Sequence, residues 1–228
     1  MGLFSCRSVK SLTDENRIPL SNEVMTIDGQ LKEESWDNAF VINQFEIFSG
    51  PENLKPPQTI VKLFHSSEGL YLSSQIYTEK INAQITDRDG PVYKDNCFEF
   101  FLDPGADGIN YCELEINALG TVWDLILKTS NNPLNHPSNL KAWHLPEGHF
   151  AVNIQGTLND DTDADQYWTA EIFIPWRLFE NGRPSKNEIW KANFMRIDYT
   201  GGEASISVWK KTTGKNIHQP AEWGVLKF

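Results

Sequence analysis

Three consecutive strand-like segments in the middle of the chain constrain the fold more than any other feature. Residues 97–102, 111–118 and 121–128 each alternate between two kinds of side chain with a period of two, the pattern of a half-buried β-strand. We therefore expect an antiparallel sheet with one face in a core and one polar face. The carboxylates and amide predicted for the polar face are Glu99, Glu113, Glu115, Asn117 and Asp124.

The rest of the chain continues this pattern and shows almost no helical periodicity. Short strand-like segments are separated by Asp-Gly, Glu-Gly and Gly-Gly turn signals, which predicts an all-β fold, an antiparallel β-sandwich of the immunoglobulin or jelly-roll kind. Short helical turns are expected near residues 33–38 and 176–179. Residues 1–22 are interpreted as a leader or flexible tether, which leaves residues 23–228 as a single domain. The further predicted strands are 24–27, 40–45, 59–66, 70–77, 150–157, 167–174, 191–199, 205–210 and 224–228.

Charge and cysteine content narrow the classes of partner. The net charge of −11 argues against nucleic acid and against anionic lipid surfaces, because both need a basic patch. No apolar run approaches the length that spans a membrane. Cys6 follows Leu-Phe-Ser and resembles the acylated cysteine of a lipoprotein signal, although only five residues precede it, so a chance match stays open. These features favour an exported protein that is periplasmic, extracellular or lipid-anchored. Cys97 and Cys112 point to opposite faces of their strands, so we expect no disulfide between them.

An acidic loop offers a candidate metal site. Asp161, Asp163 and Asp165 alternate along it, and carboxylates in this arrangement bind calcium through oxygen ligands. The later glycine and glutamate of an EF-hand are missing, and an acidic turn that is merely solvated is the alternative. Asp103 and Asp107 form a weaker second candidate.

Several segments, in chain order, resemble carbohydrate-binding module family 9 of the DOMON-like sandwich superfamily. Residues 27–36 match its entry motif of Asp-Gly, an acidic residue and Trp, and residues 95–103 match its acid-rich strand. Residues 168–176 match a strand that ends in Pro-Trp, and residues 220–228 match the closing strand. The resemblance covers residues 24–228 and implies a non-catalytic sandwich that binds the ends of oligo- or polysaccharides, often with structural calcium.

The resemblance also implies a binding site. In the family two tryptophans clamp a sugar ring; the first position corresponds to Tyr93, and the second falls near residues 217–218, with Trp209 nearby but displaced. The arginine that the family places near Glu115 is absent. Arg88 either contacts the ligand or pairs with a neighbouring aspartate. The predicted ligand-binding residues are Arg88, Tyr93, Glu99, Glu115, Asn117, Trp209 and His218; Trp143 is a further stacking candidate, whereas Trp36, Trp123, Trp168, Trp176 and Trp190 are assigned to the core.

The sequence leaves two alternative functions open. A glycoside hydrolase would use Glu99 and Glu115 as its paired carboxylates, but an exposed sheet face is not expected to raise a carboxyl pKa as a general acid requires. A haem-binding electron carrier would need axial ligands such as Met195 and His218, and Met195 lies in a core pattern. The chain is therefore predicted to be a binding protein and not an enzyme.

Overall fold

The computed structural model describes residues 16–129 and 136–228, which form two antiparallel β-sheets packed face to face. Thirteen strands account for the two sheets. They are β1 (Phe40–Ile42), β2 (Glu46–Ser49), β3 (Thr59–His65), β4 (Gly69–Tyr77), β5 (Cys97–Asp103), β6 (Ile109–Asn117), β7 (Val122–Thr129), β8 (Leu140–Ala142), β9 (Phe150–Gln155), β10 (Tyr167–Pro175), β11 (Ile189–Asp198), β12 (Ser205–Val208) and β13 (Gly224–Lys227). The helical elements are one α-helical turn (Glu34–Asp37) and 3₁₀ turns at Val92–Lys94, Pro137–Asn139, Trp176–Leu178 and Pro220–Glu222.

The strand order places the three predicted central strands next to one another. One sheet has five strands in the order β1-β3-β4-β10-β9. The other has eight, in the order β2-β12-β11-β5-β6-β7-β8, with β13 pairing with the first part of β11. Each of β5, β6 and β7 therefore has a hydrogen-bonded neighbour on both of its edges.

The alternation seen in the sequence separates two apolar clusters. Phe98, Phe100 and Leu114 point between the sheets into the main core. Phe101 and Tyr111 point to the outer face of the eight-stranded sheet, where they belong to a second apolar cluster. Segments 85–92 and 217–223 contribute to that second cluster and cover part of the outer face.

The entry motif is held by a buried carboxylate on β10. Glu171 Oε2 accepts hydrogen bonds from the backbone N–H groups of Asp28 and Gly29 at 3.0 and 2.9 Å. Its other oxygen accepts from Trp36 Nε1 at 3.1 Å. Gly29 has a φ of 80°, and a Cβ there would lie 2.7 Å from the backbone nitrogen of Asn153. The Asp-Gly…Trp pattern is thus explained by one glutamate that fastens the entering chain to the five-stranded sheet.

The all-β sandwich and both helical turns are confirmed, with several local differences. Residues 24–27 are not a strand, and the short strands β2 and β8 were not predicted. Residues 16–21 of the predicted tether lie against the sandwich: Ile18 is buried, and its N–H donates to Lys227 O at 2.8 Å. Cys6 lies outside the described residues. Cys97 and Cys112 are free, as predicted, and both are buried. Within the described ranges, no helix has the length and apolar character needed to cross a membrane.

Candidate functional site

Three glutamates meet on the outer face of the eight-stranded sheet. Glu99 on β5 lies directly opposite Glu115 on β6 in the strand register. Glu113 lies two residues before Glu115 and therefore on the same face. One carboxylate oxygen from each residue lies within 4.8 Å of those of the other two. We call Glu99, Glu113 and Glu115 the glutamate cluster.

The glutamate cluster is buried, although the sequence predicted a solvated sheet face. Glu99, Glu113 and Glu115 are 2%, 4% and 3% exposed. Met195 stands beside Glu99 in the register and Leu125 beside Glu113, and both belong to the second apolar cluster. The expectation of an exposed face was wrong because this cover comes from residues far away in the sequence.

Few groups neutralise or solvate these carboxylates. Glu99 receives only a weak hydrogen bond, from Cys97 Sγ at 3.5 Å. Glu115 Oε2 is buried without a hydrogen-bond partner. The ion pairs between described side chains join Arg88 to Asp124 and Glu147, and Arg196 to Asp198, and none involves the glutamate cluster. Carboxylates in such surroundings are costly to keep ionised.

The same surroundings shift the acid–base behaviour of the cluster. Burial raises the pKa of Glu115 to about 8, against a smaller lowering by the Tyr93 backbone N–H. Burial, followed by the neighbouring carboxylates, raises the pKa values of Glu99 and Glu113 well above their usual range. Burial lowers the pKa of His218 to about 4, so this imidazole is neutral at pH 7 and supplies no positive charge to the face. The premise that this face leaves carboxyl pKa values unchanged was therefore wrong.

Aromatic side chains lie around the glutamate cluster. Tyr93 is 45% exposed and Tyr199 is 36% exposed, and the Tyr199 hydroxyl donates to the Tyr93 carbonyl at 3.2 Å. Trp123 is half-buried and stands opposite Glu115 in the register of β6 and β7. We call Tyr93, Trp123 and Tyr199 the aromatic rim. The sequence pointed to Tyr93 alone, although the strict alternation of β7 already places Trp123 on the face opposite to Asp124.

Asp124 lies on the other side of the sheet from the glutamate cluster. It stands opposite Leu114, whose side chain points into the main core. The predicted position of Asp124 on the polar face was wrong. The alternation along β7 is offset by one residue from the prediction, and an offset of one residue moves a side chain to the opposite face. Asp124 instead binds Arg88 at 2.7 Å, and Arg88 also donates to Leu145 O at 3.1 Å. The structural alternative for Arg88, an ion pair with an aspartate, is the one observed.

Asn117 joins the end of β6 to the neighbouring loops. Its Nδ2 donates to Ile85 O at 2.9 Å and to Asp95 Oδ2 at 3.0 Å. Its Oδ1 accepts from the N–H groups of Leu119 and Thr121 at 3.1 and 3.0 Å. The side chain is 0% exposed and its amide is fully engaged, so Asn117 positions the segment that carries Tyr93 and offers no free group to a ligand.

Neither of the other two tryptophans named for stacking presents a ring to solvent. Trp209 is 8% exposed and packs in the main core against Phe194, with a centroid distance of 5.6 Å. Trp143 is 7% exposed, and its Nε1 donates to Leu178 O at 3.0 Å. Each of these tryptophans directly follows the end of a strand and packs in the main core, so neither ring is available to stack on a ligand. The core assignments of the remaining tryptophans are confirmed except for Trp123; the buried ones are Trp36, Trp168, Trp176 and Trp190.

His218 lies at the other end of the face, next to Tyr111. The Tyr111 hydroxyl is 3.1 Å from His218 Nδ1, and the Phe101 ring packs edge-on against the imidazole at 5.1 Å. A surface groove of about 620 Å³ runs past His218, between residues 106–109 and 216–221.

A family model described as carbohydrate-binding family 9 matches residues 42–228, most of the chain. The chain belongs to carbohydrate-binding family 9. No curated protein sequence matches it.

Solved structures share the fold of this family 9 chain. A putative carbohydrate-binding protein from Bacteroides uniformis superposes with a TM-score of 0.68 at 17% identity, over 93% of this chain and 97% of that one. A family 9 module from Caldicellulosiruptor kristjanssonii in complex with cellotriose gives a TM-score of 0.60 at 17% identity, over 92% of each chain. The same organism's module in complex with glucose gives 0.58 at 17% identity, over 92% of this chain and 94% of that one. At this identity the likeness shows the fold.

The aspartate loop predicted to bind calcium, residues 160–165, is already satisfied by protein groups. Lys80 Nζ donates to the carbonyl oxygens of Asp161 and Asp163, each at 2.6 Å. The buried Asp165 carboxylate accepts from Ile81 N at 2.7 Å and from Thr157 N at 2.6 Å. The carbonyl oxygens of Asp161 and Asp163 and the Asp165 carboxylate are therefore already engaged by protein groups. Calcium binding by the Asp161 and Asp163 carboxylates stays a prediction.

Proposed function

We propose that this family 9 chain binds a carbohydrate non-catalytically on the outer face of its eight-stranded sheet. The aromatic rim, which lies beside the buried glutamate cluster, receives the apolar face of a sugar ring. Exposed aromatic rings pack well on apolar surfaces. The observation that carries this proposal is the exposure of Tyr93 and Tyr199 near the half-buried Trp123.

The first ligands to test are glucose and short β-glucans. Solved family 9 structures contain cellotriose and glucose, and these share this fold over more than nine-tenths of its length. Tyr93 replaces one family tryptophan, and we propose that Trp123 and Tyr199 supply aromatic surface that the other tryptophan position lacks here. Ligand and protein would meet over a small area, so we expect weak binding, with Kd of roughly 0.1–10 mM.

Binding without cleavage fits the depth of the carboxylates. Glu99 and Glu115 are 2% and 3% exposed, and their oxygens lie within 4.8 Å of one another. A glycosidase must place a glycosidic bond between its two carboxyl groups. A buried pair in this arrangement leaves no space for that bond, even though their pKa values are raised as an acid catalyst's would be. Incubation with cello-oligosaccharides should therefore release no reducing sugar above the level of a protein-free control.

The composition supports an exported location for a protein with this role. The chain is acidic, its partner would be a polysaccharide, and Cys6 ends a lipoprotein-like tetrapeptide, Leu-Phe-Ser-Cys. Radiolabelled palmitate incorporation in wild type and Cys6→Ser tests the lipid anchor directly.

Isothermal titration with glucose and cellotriose tests the proposed site. Tyr93→Ala and Trp123→Ala should each weaken binding at least tenfold while the far-UV circular dichroism spectrum stays unchanged. Tyr167→Ala is the matched control, because Tyr167 is a half-buried tyrosine on the five-stranded sheet. Loss of binding in Tyr167→Ala, with normal binding in the two rim variants, would place the ligand on the other sheet and overturn the proposal.

A further inference from the structure

We propose that Glu99, Glu113 and Glu115 bind one divalent cation, Ca²⁺ in the first place, on the outer face of the eight-stranded sheet. This site is distinct from the aspartate loop, and it does not depend on whether the chain binds a carbohydrate. Three features of the glutamate cluster support a cation site: the spacing of its carboxylate oxygens, the lack of hydrogen-bond partners for some of them, and the chemistry of the three donors.

The spacing of the oxygens suits a shared ion. Ca²⁺ binds oxygen ligands at about 2.3–2.6 Å, so two ligands of one ion lie at most about 5 Å apart. One oxygen from each of the three glutamates lies within 4.8 Å of the other two. Glu99 and Glu115 are fixed opposite each other by the register of β5 and β6. The backbone of two central strands therefore holds the three donors together before any ion arrives.

The missing partners are the second and independent observation. Glu115 is 3% exposed, and its Oε2 is buried with no hydrogen bond. Glu99 is 2% exposed and has only the weak contact with Cys97 Sγ at 3.5 Å. Within the described part of the chain, the arginines that form ion pairs are committed to other carboxylates. Buried carboxylates are normally paired or bound to a metal, and a cation would supply the partner that the protein does not.

The donor set favours Ca²⁺ over other common ions. Three glutamates offer only hard carboxylate oxygens, which suit Ca²⁺, Mg²⁺ and Mn²⁺ better than softer metals. Mg²⁺ requires near-octahedral ligands at about 2.0–2.1 Å, whereas Ca²⁺ accepts six to eight ligands in irregular arrangements. Waters, or hydroxyl groups of a ligand that reaches between the residues of the aromatic rim, would fill the remaining positions.

Direct titration with the metal tests the site. Full-length protein freed of metal with a chelator is dialysed and titrated with Ca²⁺, and binding is followed by calorimetry and by sensitised Tb³⁺ luminescence. We expect one ion per chain, a rise in Tm, and selectivity for Ca²⁺ over Mg²⁺. Glu113→Gln and Glu115→Gln should each weaken Ca²⁺ binding at least tenfold, whereas Asp161→Asn should bind as the wild type does.

A wild-type NMR titration keeps the test valid if a variant does not fold. Ca²⁺ should shift the amide resonances of residues 97–103 and 109–117 and leave those of residues 157–166 unchanged. The proposal is overturned if the metal-free wild type binds no Ca²⁺ at millimolar concentration, or if the shifts concentrate at residues 157–166. Either result leaves the carbohydrate titrations of the aromatic-rim variants unaffected, so the two proposals fail separately.

Discussion

The aspartate loop and the glutamate cluster are both dense in carboxylates, yet they satisfy their polar groups in opposite ways. In the loop, the Lys80 ammonium donates hydrogen bonds to two carbonyl oxygens, and the Asp165 carboxylate accepts hydrogen bonds from two backbone N–H groups. In the cluster, Glu115 keeps a buried oxygen without a partner, and no ion pair between described side chains includes a cluster member. The number of carboxylates therefore does not identify a cation site; the partners that they already have do.

Among the substitutions that distinguish the aspartate loop from the glutamate cluster, a change at Asp165 should have the largest effect on stability. Replacing Asp165 by alanine leaves the buried N–H group of Ile81 and the partly buried N–H group of Thr157 without acceptors. Each lost acceptor costs about 1–3 kcal/mol, so Asp165→Ala should lower the free energy of unfolding by roughly 2–4 kcal/mol in urea titrations. Asp161→Ala is the control: Asp161 is exposed, and the variant should change stability by less than about 0.5 kcal/mol. Equal effects in the two variants would contradict the structural role of Asp165.

Removing a charge from the glutamate cluster should increase stability, which is the opposite of the effect expected at Asp165. In chelator at pH 8.5, Glu115→Gln should raise the free energy of unfolding by about 1–3 kcal/mol, because it removes a buried and unpaired carboxylate opposite Glu99. Glu46→Gln, at an exposed strand position, should have little effect. A loss of stability in Glu115→Gln under these conditions would mean that the hydrogen bond from the Tyr93 backbone outweighs the cost of the buried charge.

The fold was accessible from the sequence because strand alternation is a local signal. Residues 97–102 already show which side chains share the face of Glu99, and the structure keeps that division along β5. The entry motif was likewise visible, although its reason was not: Glu171, which binds Asp28 and Trp36, lies more than 130 residues away.

The site was less accessible because its environment is set by distant residues. The glutamate cluster lies among apolar side chains of the second cluster, and one of them, Met195 beside Glu99, comes from a distant part of the chain. The aspartate loop looked like a calcium site because Lys80, its internal cation, comes 81 residues before Asp161. The register between β7 and β6 decides which face of the sheet Asp124 and Trp123 occupy. The interpretation of the sequence assigned both residues to the wrong faces.

Glu171 is an intermediate case, since it is buried like the glutamate cluster but accepts three N–H donors. Burial raises its pKa from 4.5 to about 6, so the folded state holds this proton more tightly than the unfolded state does. Its contribution to stability is therefore complete below about pH 4.5 and is lost as the pH rises through about 6. Between pH 4.5 and pH 7, the free energy of unfolding of the wild type should fall by up to about 2 kcal/mol relative to that of Glu171→Gln. A pH-independent difference between the two proteins would show that the carboxyl titrates normally in the folded state.

The smallest effect, at Lys80, tests the comparison most directly, because it removes the internal cation from the aspartate loop. Lys80→Met deletes two hydrogen bonds from an ammonium group to carbonyl oxygens at 2.6 Å, and since the lysine is partly solvated we expect a loss of about 1 kcal/mol. The freed carbonyl oxygens of Asp161 and Asp163 are Ca²⁺ ligands by type, so Ca²⁺ should restore part of this loss in the variant. Lys211→Met, at an exposed position, should neither lose stability nor gain a response to Ca²⁺. The titrations are best done in a Glu115→Gln background, where the glutamate cluster no longer contributes. Lys80→Met could also lose stability without any recovery on addition of Ca²⁺. In that case the geometry of the loop, and not the ammonium charge, excludes the ion. The contrast between the two acidic regions would then rest on shape instead of on charge.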